Sequence, residues 1–165
     1  MPHGEVRDRI PASASAVFEL LHDYTRRLEW DTLLQRAFLH DEFPKAAKGA
    51  ISTCQGRPFL GGIALTTEYI RFARGEVAAI RMLNRPIFFE SFAASIRHDA
   101  ISDSESTITY KFRFTARPKW LRWILHPIMS VVFRFETKKR LSALRQFFET
   151  QSPRVSHFEN PLGGP

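Results

Sequence analysis

Two periods of hydrophobic patterning run along this chain. Between Glu5 and Ala116 most apolar residues recur at alternate positions, in short runs broken by glycine, proline and polar clusters. Between Arg117 and Thr150 they recur every third or fourth position. Alternation places side chains on opposite faces of a strand, whereas 3.6 residues complete a helical turn. The first pattern predicts strands at Glu5–Ile10, Leu33–His40, Gly49–Gln55, Ile63–Phe72, Val77–Leu83, Phe88–Arg97 and Thr107–Ala116. The last is the clearest: Ile108, Tyr110, Phe112 and Phe114 point one way, and Thr107, Thr109, Lys111, Arg113 and Thr115 the other. Turn residues separate the runs, among them Gly56 to Gly62, Arg74-Gly75, Asn84-Arg85-Pro86 and the polar stretch His98 to Glu105.

Two short helices interrupt the strands after Pro11. Ser13 or Ser15 suits the N-cap of the first, since a hydroxyl accepts a bond from an otherwise orphan helix N–H. Tyr24 to Trp30 reads as a second helical turn. The long C-terminal run carries the stripe Met129, Phe133, Thr137, Leu141, Leu144 and Phe148. Its first half is apolar nearly all round (Trp120, Leu121, Trp123, Ile124, Leu125, Ile128, Val131, Val132, Phe135), and such a helix is normally enclosed by other structure. The sheet is therefore expected to wrap it. Pro127 lacks an N–H, so the helix should kink at His126-Pro127, or a short helix should end there and Pro127 open the longer one. Residues 1–150 form one expected domain, and Gln151 to Pro165 a flexible tail. Strands followed by a long helix give α+β, with the helix on one face of an antiparallel sheet of six or seven strands.

Composition narrows the function. The chain has 165 residues with 44% hydrophobic and 25% charged residues, ordinary values for one globular domain. Its 15 Phe against 3 Trp and 3 Tyr suggest either a bulky core or a Phe-lined cavity. The net charge of +7 favours anionic partners, although most basic residues are scattered. Cys54 is the only cysteine, so neither an intrachain disulfide nor a multi-cysteine zinc site can form. The N-terminus lacks the apolar core of a signal peptide, and no apolar run approaches the roughly 18 residues needed to cross a bilayer. A cytoplasmic protein is the expectation.

Several strings, together with the element order, resemble the START-like superfamily, the polyketide cyclase/dehydrase and birch-pollen-allergen-like group. Ile10-Pro11-Ala12-Ser13-Ala14-Ser15-Ala16-Val17-Phe18 is similar to its strand-to-helix opening, and Glu29-Trp30-Asp31 to its tryptophan before the second strand. Lys48-Gly49-Ala50 and the stretch from Thr137 to Phe148 also fit. The resemblance covers Glu5 to Thr150. It implies a helix-grip fold, a curved sheet closing round a C-terminal helix with a cavity between them. The group spans lipid carriers, hormone and coenzyme-Q binders, aromatase/cyclases and co-chaperone domains, and fold does not choose among them.

The candidate site follows from the faces of the elements. The expected inward sets are Leu65, Thr67 and Tyr69; Ile80 and Met82; Phe92 and Ile96; Tyr110, Phe112 and Phe114; and Met129, Phe133 and Thr137. Mostly apolar walls with a few placed hydroxyls suit a hydrophobic small molecule or lipid. Glu90 is the candidate acid. Simple alternation with Phe92 and Ile96 turns it inward, where Tyr69 or Tyr110 could join it in proton transfer on a polyketide-like substrate. A strand starting later, or a bulge, turns it outward. The pairs His22-Asp23, His40-Asp41 and His98-Asp99 sit at expected element ends, where Asp serves turns and caps. H-E-x-x-H, G-x-S-x-G and P-loop motifs are absent, and no metal or cofactor is expected. The favoured function is a non-enzymatic carrier, with a cyclase or hydratase as the alternative. A third reading is an interaction domain making weak contact with anionic membranes through Trp120, Trp123 and Lys138-Lys139-Arg140. Nucleic acid is not an expected partner.

Overall fold

In the computed structural model, which describes residues 1–151, seven strands form one antiparallel sheet. They are β1 (His3–Ile10), β2 (Leu34–Leu39), β3 (Ile51–Gly56), β4 (Ala64–Ala73), β5 (Val77–Met82), β6 (Phe89–Ser102) and β7 (Glu105–Ala116). Their order is β1-β7-β6-β5-β4-β3-β2. The chain thus crosses from one sheet edge to the other between β1 and β2, carried by α1 (Ala14–His22) and α2 (Arg27–Trp30). The Ser13 hydroxyl caps α1, accepting from the Ala16 N–H at 3.2 Å. From β2 onward each strand pairs with its sequence neighbour, as hairpin patterning predicts.

The strand β6 runs further than expected. His98 to Ser102 belongs to it, paired with β7 from Ile108 to Glu105, so only Asp103 and Ser104 make the turn. The polarity of that stretch reflects its outer face, and His98 itself is buried. On β7 the expected inner residues Ile108, Tyr110, Phe112 and Phe114 are all buried. Gly4 on β1 lies opposite Phe112, and a Cβ there would overlap the aromatic ring. A glycine at that position lets β1 close over the β7 ring.

The C-terminal helix α3 (Arg122–Gln151) lies in the concave face of the curled sheet. It follows a single 3-10 turn at Lys119–Leu121 and does not end at Pro127, which lies inside it. The expected tail begins at Gln151, which is instead the last residue of α3, and residues 152–165 lie outside the described residues. Thr137, Leu141 and Leu144 are buried, and Met129, Phe133 and Phe148 pack on the core. The opposite face of its first half is bare: Trp123 is 77% exposed, Val131 68% and Phe135 66%, Ile128 is also exposed, and so is Trp120 in the turn before it. This overturns the expectation of an enclosed helix. One half-barrel covers one side of a helix, and the described chain has no second layer to cover the other. None of the described helices is long and apolar enough to cross a membrane.

Candidate functional site

A cavity of about 260 Å³ lies between the inner sheet face and α3. One side is apolar, formed by Leu65 on β4, Ile80 on β5, Phe92 and Ile96 on β6, and Met129 and Phe133 on α3, with Leu34, Ile63, Phe88, Phe89 and Val132. Phe133 organises this wall. Its ring stacks on Phe92 at 5.4 Å and 19°, and meets Phe89, Phe112 and Phe114 at 5.6, 5.4 and 5.2 Å. The abundance of Phe therefore serves both purposes weighed above. Phe92 and Phe133 face the cavity, while Phe112 and Phe114 fill the core behind them.

The other side is polar and draws on distant parts of the chain. His22, Tyr24 and Arg27 come from the α1–α2 region, Cys54 from β3, Thr67 and Tyr69 from β4, Tyr110 from β7, and Glu136, Thr137 and Arg140 from α3. His22 Nδ1 is 2.9 Å from the Tyr69 hydroxyl, which is 3.0 Å from that of Tyr24. Burial pushes Tyr24 up to about 12 and Tyr69 well above the ordinary tyrosine value, so both phenols stay protonated at neutral pH. Burial, with smaller contributions from the His98 and Arg27 charges, holds His22 well below the usual histidine range, leaving its ring neutral. The Cys54 thiol is also pushed up by burial and is a poor nucleophile there.

Beside these groups lies a buried ion cluster. Asp31 is fully buried; its Oδ2 accepts from Arg27 Nε at 3.1 Å and lies 2.9 Å from Arg140 Nε. Arg27 also donates from Nη1 to the Leu21 carbonyl at 2.6 Å and stands over the Trp30 ring at 4.7 Å. Burial works against the Arg27 charge, but the Asp31 carboxylate and the smaller contributions of the neighbouring Cys54, Tyr24 and Tyr69 together outweigh it, and the guanidinium is held firmly protonated. Arg140 Nε, although close to Asp31, lacks the geometry of a hydrogen bond to it. Glu136 lines the same space one helical turn before Arg140, and burial raises its carboxyl despite the opposing Arg140 charge.

Most of the inward set from the sequence meets at this cavity: Leu65, Thr67, Tyr69, Ile80, Phe92, Ile96, Tyr110, Met129, Phe133 and Thr137 all line it. Met82, Phe112 and Phe114 pack on or within the core without lining it. Glu90 does not face it. A register shift between Phe89 and Ser91 puts Phe89 and Phe92 inside together, and Glu90 turns out, 39% exposed and 3.9 Å from Arg85. The bulge outcome holds because the extra residue breaks the alternation at that point. The cavity's carboxyl is Glu136. Sequence reasoning also missed His22, Tyr24, Arg27, Cys54 and Arg140. The available signals were two i,i+4 charge pairs, Arg27 with Asp31 and Glu136 with Arg140, each beside apolar positions. Among the described residues, no group of three or more His, Cys, Asp or Glu is placed to hold a metal.

The sequence matches a family model described as polyketide cyclase/dehydrase and lipid transport over residues 1–149. The chain belongs to that family. No curated protein sequence matches at a significant level. Solved structures share the fold at low identity. The Zhui aromatase/cyclase from Streptomyces sp. R1128 is 13% identical, covers 93% of this chain and 97% of its own, and superposes with a TM-score of 0.77. A START superfamily protein from Mycobacterium smegmatis is 10% identical, with 91% and 99% coverage and a TM-score of 0.72. Truncated norcoclaurine synthase from Thalictrum flavum is 10% identical, with 88% and 91% coverage and a TM-score of 0.64. At such identities the likeness concerns the helix-grip fold, and this polyketide cyclase/dehydrase family member must be understood through its own cavity. That cavity can enclose an apolar body and offer protonated phenols, one carboxyl and two guanidiniums to a polar end.

Proposed function

We propose that this family member binds a hydrophobic small molecule or lipid in the cavity between the sheet and α3, without transforming it. The supporting observation is the pairing of a continuous apolar wall around Phe133 with polar groups gathered on the opposite side. Binding sites for small molecules combine these two features. Native mass spectrometry and solvent extraction of the purified protein test the reading. Retention of an apolar molecule that Ile96→Trp excludes supports it. A protein that takes up no hydrophobic probe, with Ile96→Trp making no difference, defeats it.

The bare face of α3 supplies a route for such a ligand. Trp120, Trp123, Ile128, Val131 and Phe135 form an exposed apolar surface, with Lys138 and Lys139 beyond it and Val132 and Phe88 at the cavity. Aromatic side chains favour the membrane interface, and basic groups are drawn to anionic lipid. In this reading the face rests weakly on an anionic bilayer while cargo moves. Liposome flotation checks it: anionic vesicles should retain the protein better than neutral ones, and Trp123→Ser with Phe135→Ser should abolish the difference.

A second reading, an acid–base cyclase or hydratase, rests on Glu136. Its raised carboxyl and the protonated Tyr24 and Tyr69 face the same space. Turnover of a polyketide-like substrate that Glu136→Gln abolishes, with binding retained, would favour it over the carrier.

A further inference from the structure

We infer that the cavity selects amphiphiles bearing a carboxylate, with the anionic group held by Arg140 and Arg27 and the chain lying along the Phe133 wall. The inference rests on the cavity reading above and adds the chemical class of its ligand. Three observations carry it. One buried carboxylate, Asp31, serves two guanidiniums, leaving a positive excess beside the cavity. Both arginines line the cavity itself. Finally, Arg140 Nε, although 2.9 Å from Asp31 Oδ2, is buried without a hydrogen-bond partner. Arg27, by contrast, is committed to Asp31 and to the Leu21 carbonyl.

Two guanidiniums sharing one carboxylate beside a low-dielectric space leave a net charge that is costly to bury, and an anion entering that space relieves the cost. A carboxylate matches the planar donor fork of arginine better than a hydroxyl or an ether does. The phenols of Tyr24 and Tyr69 add donors to the same side. Glu136 is the one group in the cavity wall that could supply the missing negative charge from within. It forms no ion pair with Arg140 among the described residues, and its burial favours the neutral carboxyl. A ligand carboxylate therefore meets two guanidiniums that share a single counter-ion, Asp31. The apolar wall sets the other half of the selection, since a short acid such as acetate would leave Phe92, Ile96 and Met129 uncovered.

The test compares three probes of equal chain length, decanoate, decanol and decylamine, by calorimetry or displacement of a fluorescent apolar dye at neutral pH. The expected order is decanoate first, with about a tenfold or greater preference over decanol, the scale of a charge-assisted hydrogen bond. Decylamine should bind weakest. Arg140→Gln leaves Arg27 and Asp31 as a balanced pair, so it should bring decanoate down to decanol while decanol binding persists. Glu136→Gln should preserve or increase the preference for decanoate. Equal binding of decanoate and decanol to the unaltered protein overturns the inference and leaves the cavity reading standing. Tighter binding of decylamine also overturns it, because Glu136 would then be the charge that selects. If none of the three binds, the cavity reading fails and this inference falls with it. Should Arg140→Gln not fold, the three-probe order on the unaltered protein decides alone.

Discussion

Leu144 and Val131 stand on the same helix, and the first is fully buried while the second is 68% exposed. The difference recurs along α3. Thr137, Leu141 and Leu144 on its inner face are covered, whereas Ile128, Val131 and Phe135 on its outer face meet solvent. Both faces are apolar, so hydrophobicity does not separate them; the sheet does. A half-barrel has one concave surface, and what it does not cover stays bare unless another partner covers it. The inner face is also held by charge, because Arg140 reaches Asp31 at the end of α2. Stability should therefore reside on one side of α3 and surface contact on the other.

The largest effect should come from that charge cluster. Replacing Asp31 by Asn leaves the buried Arg27 and the largely covered Arg140 without their shared carboxylate. Removing one partner of a buried pair typically costs about 3–5 kcal/mol. Urea denaturation should show a loss of that order. A loss under 1 kcal/mol (about the level of a surface pair) would mean that the cluster is solvated and the inner face is held by packing alone.

Packing should follow closely. Leu144→Ala deletes a fully buried side chain in the main core cluster, and such truncations cost about 2–5 kcal/mol through lost burial and the cavity left behind. The same experiment on a helix whose inner face was loosely docked would give much less.

Much of this division was legible in advance, and the reasons where it was not are physical. Alternation in β7 identified Ile108, Tyr110, Phe112 and Phe114 because one face of that strand is packed and the other carries the exposed Lys111 and Arg113, although Thr109 on that face is buried as well. The inner stripe of α3 followed from its period in the same way. The outer face was misjudged because an all-round apolar helix normally implies cover, and sequence does not reveal how far a sheet will curl. Glu90 was misplaced by one bulged residue, which reverses the pleat without changing composition. The polar side of the cavity was hidden for another reason. His22, Tyr24, Arg27, Cys54 and Arg140 lie on separate elements, and only tertiary folding brings them together.

The core beneath α1 should also respond to acid. His98 is buried against Phe18, and burial pushes it from an ordinary 6.5 down to about 4. Between those values the unfolded chain binds a proton that the folded chain refuses, so stability rises with pH and is complete above about 6.5. Acidification to the lower value should remove up to about 3 kcal/mol through this group. His22 acts in the same direction. Glu136, whose carboxyl is raised, acts in the opposite one, so the informative quantity is the difference between the unaltered protein and His98→Phe. That difference should grow in favour of the variant as pH falls; a flat difference would show that His98 is hydrated when folded.

The smallest effect belongs to the outer face. Val131→Ser removes apolar surface that is already mostly in water, so the folded and unfolded states lose nearly the same contact with solvent. The β-branched residue and serine have similar helix propensities, which removes the other obvious source of change. Denaturation should therefore shift by no more than about 0.5 kcal/mol, the usual range for surface positions. A loss approaching that of Leu144→Ala would break the comparison, since it would require Val131 to be covered in the free protein. A small shift together with weaker retention on anionic vesicles would sharpen it, because the apolar outer face would then contribute to contact and not to folding.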